Sequence, residues 1–128
     1  MDLNYSQEES AFRDEVRGWL QANLPQDLRD KVANYEELSR EDLLRWHRIL
    51  AKKGWVAPAW PKEWGGKGLT PIEQFVFFDE SMRAGAPVPM LTINSVAPTI
   101  MRYGSEEQKQ FYVPKILNGE IHFAIGYT

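Results

Sequence analysis

Three segments of this chain carry the same helix-start signature, and no other feature constrains the fold as much. Ser6 stands three residues before Glu9, Thr70 before Glu73 and Ser105 before Gln108. In each, the hydroxyl can accept from the backbone N–H three residues on, while the Glu or Gln side chain returns to the cap's own N–H. Pro71 strengthens the second start, because proline is tolerated at the first helical position. Apolar residues at helical spacing follow each start. After Ser6 they are Phe12, Val16, Trp19 and Leu20, bounded by Pro25. After Thr70 they are Phe75, Phe78 and Met82, with Asp79 on the same stripe and Gly85 as the stop. After Ser105 come Phe111 and Tyr112.

Two more helices follow from the pattern. Ser39 can cap a helix with Glu41 and Asp42 in its first turn, favoured by the dipole. Leu43, Trp46, His47, Leu50 and Ala51 share its face, Lys52 and Lys53 close it, and Gly54 offers a left-handed exit. Ile93, Val96, Ala97, Ile100 and Met101 mark another helix, stopped by Gly104, in which Pro98 should kink the chain or delay the start. Pro114 should break the last helix, with a short restart through Leu117. Residues 26–38 read as a polar loop with at most a helical turn. The fold class is therefore all-α, a helical bundle.

The remaining segments are not helical. Residues 55–69 hold Pro58, Pro61 and a Gly65-Gly66-Lys67-Gly68 run, yet also Trp55, Trp60 and Trp64. Such aromatic area is seldom left in water, so an ordered loop is predicted, with all three indoles largely buried around the Gly65-Gly66 turn. Pro87-Val88-Pro89 is a rigid extended link. Asn118-Gly119 is a turn, and Ile121 to Thr128 reads as the opening of a strand without a partner in this chain. The division is thus a helical domain over 1–120 and an extended segment over 121–128.

Several chemistries are excluded. There are no cysteines, which removes disulfides, thiolate metal sites and a Cys nucleophile. Fifteen Lys and Arg against eighteen Asp and Glu give a net charge of −3, which argues against sequence-independent nucleic-acid binding. No apolar run has membrane-spanning length. The first residues lack the basic region and apolar stretch of a signal peptide, so a cytoplasmic location is expected. His47 and His122 have no metal-type spacing to a carboxylate pair; His47 is expected in the core and His122 on the surface. Asp79 and Glu80 are adjacent on a helix and point apart, so they read as a solvated face or a cap partner. The glycine run lacks the preceding strand of a phosphate-cradling loop and reads as a tight turn. No catalytic residue and no metal ligand is assigned.

Taken in order, several motifs resemble the N-terminal domain of acyl-CoA dehydrogenases. Phe12-Arg13-Asp14-Glu15-Val16-Arg17 is similar to that family's opening helix. Trp60-Pro61-Lys62-Glu63-Trp64-Gly65-Gly66-Lys67-Gly68 is similar to its Trp-Pro-x-Glu-aromatic-Gly-Gly-x-Gly loop. Gly104-Ser105-Glu106-Glu107-Gln108-Lys109, then Tyr112, Pro114, Gly119 and Glu120, is similar to a third block. The resemblance implies an FAD flavoprotein that desaturates acyl-CoA, with a middle β-domain and a C-terminal bundle that carries the Glu base. It implies a substrate-lining role for Val88, Leu91 and Ser95, within Pro87-Val88-Pro89-Met90-Leu91-Thr92-Ile93-Asn94-Ser95. It implies flavin contacts at Ile125, Tyr127 and Thr128, the residues that lead into the family's Thr-Glu-Pro motif. Val56-Ala57-Pro58-Ala59-Trp60 and Ala86-Pro87-Val88-Pro89 look most like bacterial members that act on bulky acyl-CoAs, some as heteromers. The partners implied are an acyl-CoA substrate, electron-transfer flavoprotein or a similar acceptor, and other subunits of a homo- or hetero-oligomer. The competing reading is a helical interaction module, or a subunit that keeps the fold without the chemistry. A Glu-Pro-x-x-Gly-(Ser/Thr)-Asp continuation and a later Glu base would separate the two.

Overall fold

The computed structural model describes residues 4–88 and 91–127. Its elements are α1 (Gln7–Asn23), α2 (Gln26–Ala33), α3 (Arg40–Lys53), a 3-10 turn (Lys62–Trp64), α4 (Pro71–Ala84), a π-helical turn (Thr92–Val96), α5 (Ala97–Tyr103) and α6 (Glu106–Leu117). No strand occurs among the described residues. The chain divides into two compact units, Met1–Trp46 with Leu69–Val88, and His47–Gly68 with Pro89–Thr128.

In the first unit all expected helices form, and both capping boxes close reciprocally, Ser6 with Glu9 and Thr70 with Glu73. α1 packs along α4, and Val16, Leu20, Val76 and Phe77 are buried. The buried face of α4 is not the expected one. Phe75 is 60% and Met82 67% exposed, whereas Val76, Phe77, Glu80 and Ser81 are buried. The run Phe75-Val76-Phe77-Phe78 is apolar in every direction, so spacing alone does not choose a face. Three polar bonds accompany the choice. Ser81 donates to the Phe77 carbonyl at 2.7 Å, and Glu80 accepts both prongs of Arg17, Nε at 2.9 Å and Nη2 at 2.7 Å.

α2 occupies what reads as loop. It lacks a side-chain cap, since Pro25 holds the N-cap position. Its apolar anchor is Leu28, fully buried. The rest is held by ion pairs distant in sequence: Asp27 with Arg45, and Lys31 Nζ with Asp42 Oδ2 at 2.7 Å. Asp42 also closes a fourth capping box. It accepts the Ser39 N–H at 3.0 Å while its own N–H reaches Ser39 Oγ at 3.1 Å. These bonds, led by Lys31 and then Ser39, hold the Asp42 carboxyl down to about 2. Because the folded form is the stronger acid, this stabilisation is complete above the ordinary Asp range near pH ~4 and is lost as pH falls toward ~2. Asp42→Asn is expected to flatten the stability–pH curve in that window, measured by urea unfolding at successive pH values. An unchanged slope would remove Asp42 from the account.

In the second unit the tryptophan loop is ordered by its own backbone. Trp60 N–H reaches Ala57 O at 3.1 Å, Gly66 N–H reaches Pro61 O at 3.1 Å, Lys67 N–H reaches Pro58 O at 2.9 Å, and Gly68 N–H reaches Trp60 O at 2.9 Å. Trp55, Val56, Ala57 and Trp60 are buried. Trp64 departs from expectation and is only half-buried. It sits on the 3-10 turn, where its ring lines a surface hollow with Glu63, Pro114 and Leu117. Pro114 does not break α6, which runs unbroken through it. The missing N–H deprives only the carbonyl of Gln110, an exposed residue whose carbonyl water can serve. His47 is buried, and its Nε2–H donates to the Leu117 carbonyl at 2.6 Å. His122 is exposed, with its ring edge-on to His47.

Candidate functional site

The π-helical turn is the local feature that sequence reasoning missed. Pro98 is its cause. A proline cannot donate, so carbonyls one turn earlier lose a partner. The Ala97 N–H reaches back five residues to Thr92 O. In that register the carbonyl of Ile93 would be served by residue 98, which has no N–H. Trp60 fills the gap: its indole Nε1–H donates to Ile93 O at 2.8 Å in a buried bond. The tryptophan loop therefore supports the widened turn directly, and π-turns of this kind are frequent at functional sites.

The same turn holds the C-terminal segment. Thr92 is buried, and its Oγ1 accepts the Phe123 N–H at 3.0 Å. The ring of Tyr112 on α6 lies 5.9 Å from that of Phe123. Residues 121–127 adopt neither helix nor strand. Of the candidate substrate-lining residues, Leu91 immediately precedes this turn and is half-buried, and Ser95 lies within it and is exposed; Val88 is half-buried at the end of the first unit's span. Of the candidate flavin-contacting residues, Ile125 and Tyr127 are exposed, Tyr127 at 92%. Thr128 lies outside the described residues, as do Pro89 and Met90.

Ile125 and Tyr127 present their side chains to solvent. None of the three hollows with defined linings, of roughly 320, 200 and 480 Å³, includes a residue from 121–127. Nor is Glu80 free to act as a base, since Arg17 engages both its oxygens. Among the described residues no helix is long and apolar enough to cross a membrane.

A family model described as "Acyl-CoA dehydrogenase, N-terminal domain" matches residues 6–120. The chain belongs to the acyl-CoA dehydrogenase family. Acyl-CoA dehydrogenase FadE26 of Mycobacterium tuberculosis is 40% identical over 134 residues, covering 100% of this chain and 32% of the relative. Acyl-CoA dehydrogenase FadE29 of the same organism is 49% identical over 81 residues, covering 63% of this chain and 21% of that one. A solved structure described as "Tcur3481-Tcur3483 steroid ACAD" superposes with a TM-score of 0.85 at 46% identity, covering 100% of this chain and 33% of that one. The ChsE4-ChsE5 complex from Mycobacterium tuberculosis gives 0.81 at 41% identity, covering 100% and 32%. The chain thus spans about a third of the length of these acyl-CoA dehydrogenase relatives. The all-helical domain expected from the capping boxes is the fold these neighbours share.

Proposed function

We propose that this chain is the N-terminal helical part of an FAD-dependent acyl-CoA dehydrogenase that forms the α,β-double bond of an acyl-CoA thioester. The match of the family's N-terminal domain across residues 6–120 carries this reading. FAD, when bound, supplies the acceptor for the hydride leaving the β-carbon. This chain's own part is to bind and enclose. Val88, Leu91 and Ser95 line the acyl channel, and Ile125, Tyr127 and Thr128 lie against the flavin. The base for the α-proton comes from outside this chain. One solved neighbour is described as a steroid ACAD and both as pairs of chains, which favours a bulky, steroid-type acyl group and a hetero-oligomer. Electrons pass to electron-transfer flavoprotein or a similar acceptor, in the cytoplasm.

The test compares the chain alone with the product of the complete reading frame that carries it. The chain alone is expected to remain colourless after dialysis against FAD and to leave acyl-CoA unchanged. The complete product is expected to retain stoichiometric flavin. Tight flavin binding by the chain alone would contradict a flavin site supplied mostly by the middle domain. A complete product without flavin would favour the subunit that keeps the fold and not the chemistry.

A further inference from the structure

A pocket of the first unit, about 320 Å³ in volume, is lined by arginines from three helices. Arg17 comes from α1, Arg29 from α2 and Arg83 from α4, with Glu80 as the carboxylate among them. Two of the three cations have carboxylate partners. Arg17 is forked onto Glu80, and Arg83 Nε donates to Asp79 Oδ2 at 2.7 Å. Arg29 has none among the described residues, and its Nε is buried without an acceptor.

The fold makes room for this arrangement. Gly85 ends α4 at φ +77°, a conformation that L side chains rarely adopt. A Cβ there would stand 3.4 Å from Arg29 Cγ and 3.7 Å from the Arg29 carbonyl oxygen. The glycine turn therefore lies against the Arg29 stem, next to the pocket that Arg29 lines. A buried donor left without an acceptor bears its full desolvation cost, and more so when it is cationic. An anion in the pocket removes that cost. With Glu80 on Arg17 and Asp79 on Arg83, the positive charge left over is that of Arg29, and the free Nη groups around it offer further donors to an anion with several acceptor oxygens. A phosphate group, with about −1.5 to −2 charges at pH 7 and three acceptor oxygens, meets this better than a carboxylate.

We propose that this pocket is a phosphate-binding site, with the Arg29 guanidinium as its anchor and the uncommitted Nη groups of Arg17 and Arg83 adding donors. The ligand is inorganic phosphate or a phosphomonoester. The reading is independent of the dehydrogenase function, because none of these residues belongs to the acyl or flavin segments.

The test is a titration of the full chain, labelled with nitrogen-15, at constant ionic strength. The Arg29 Nε–H resonance is followed against inorganic phosphate, ribose 5-phosphate and acetate. The proposal expects saturable shifts with one or both phosphates. Tighter binding of ribose phosphate would assign the site to an ester, and equal or weaker binding would assign it to the free ion. Arg29→Lys keeps the charge but loses the Nε–H, and should weaken phosphate binding about tenfold. Arg83→Gln, at an exposed position that does not threaten folding, should weaken it several-fold. Non-saturating shifts, equal shifts with acetate, or undiminished affinity in both variants would overturn the proposal.

Discussion

Truncating Trp60 to alanine is expected to cost about 3–5 kcal/mol and to lower Tm by roughly 10–20 °C. The side chain is 3% exposed, so its loss opens a large cavity. It also withdraws the indole donor from Ile93 O, a carbonyl that Pro98 leaves without its backbone partner. Trp60→Phe separates the two effects. It keeps most of the apolar volume and should cost about 1–3 kcal/mol, the penalty of one buried acceptor left unpaired. Thermal melts followed by circular dichroism at helical wavelengths give both values. If the alanine variant melts with the wild type, the loop does not support the π-turn. Against a typical domain stability of about 5–15 kcal/mol, the expected loss is a large share.

Gly66→Ala is expected to be comparably severe for a different reason. A Cβ at residue 66 would sit 1.8 Å from the Trp60 carbonyl oxygen and 2.7 Å from its Cα. These are backbone atoms, so no rotamer change relieves the clash, and the loop must open. A loss of at least ~3 kcal/mol follows, at or beyond the upper end of ordinary overpacking. Gly65→Ala is the control. Its φ of +88° is strained for alanine, but its nearest neighbour is Leu117 Cδ2, the end of a flexible side chain. About 1–2 kcal/mol is expected there. Urea midpoints of the two variants should therefore rank Gly66→Ala well below Gly65→Ala. The reverse order would mean that left-handed conformation, and not close approach, decides the turn.

Both effects run through pairs that spacing in the sequence does not reveal. The capping boxes at Ser6, Thr70 and Ser105 were legible because capping is local: donor and acceptor lie three residues apart. The glycine run likewise reads as a turn from its composition alone. α2 was not legible, since Leu28 is its one buried apolar side chain and its other supports, Arg45 and Asp42, come from α3. The face of α4 was misread because four consecutive apolar residues carry no phase. What fixes it is Glu80, a residue that reads as solvated but is 5% exposed and forked to an arginine 63 positions away. Pro98 announced a disturbance, but its form required knowing that Trp60 could reach Ile93. For the candidate site, the family resemblance points to residues 87–95 and 125–128 as the segments proposed to face the acyl group and the flavin. Only the structure shows that Thr92 ties one segment to the other through Phe123.

We propose that these helices form one wall of a flavin enzyme acting on acyl-CoA. The most direct measurement is an anaerobic titration of the complete reading-frame product with a steroid-type acyl-CoA. Flavin absorbance is followed, and the thioester is weighed by mass spectrometry. Stoichiometric bleaching of the flavin and a product lighter by two hydrogens are expected. A flavin that stays oxidised, with acyl-CoA recovered unchanged across chain lengths and ring systems, would contradict it.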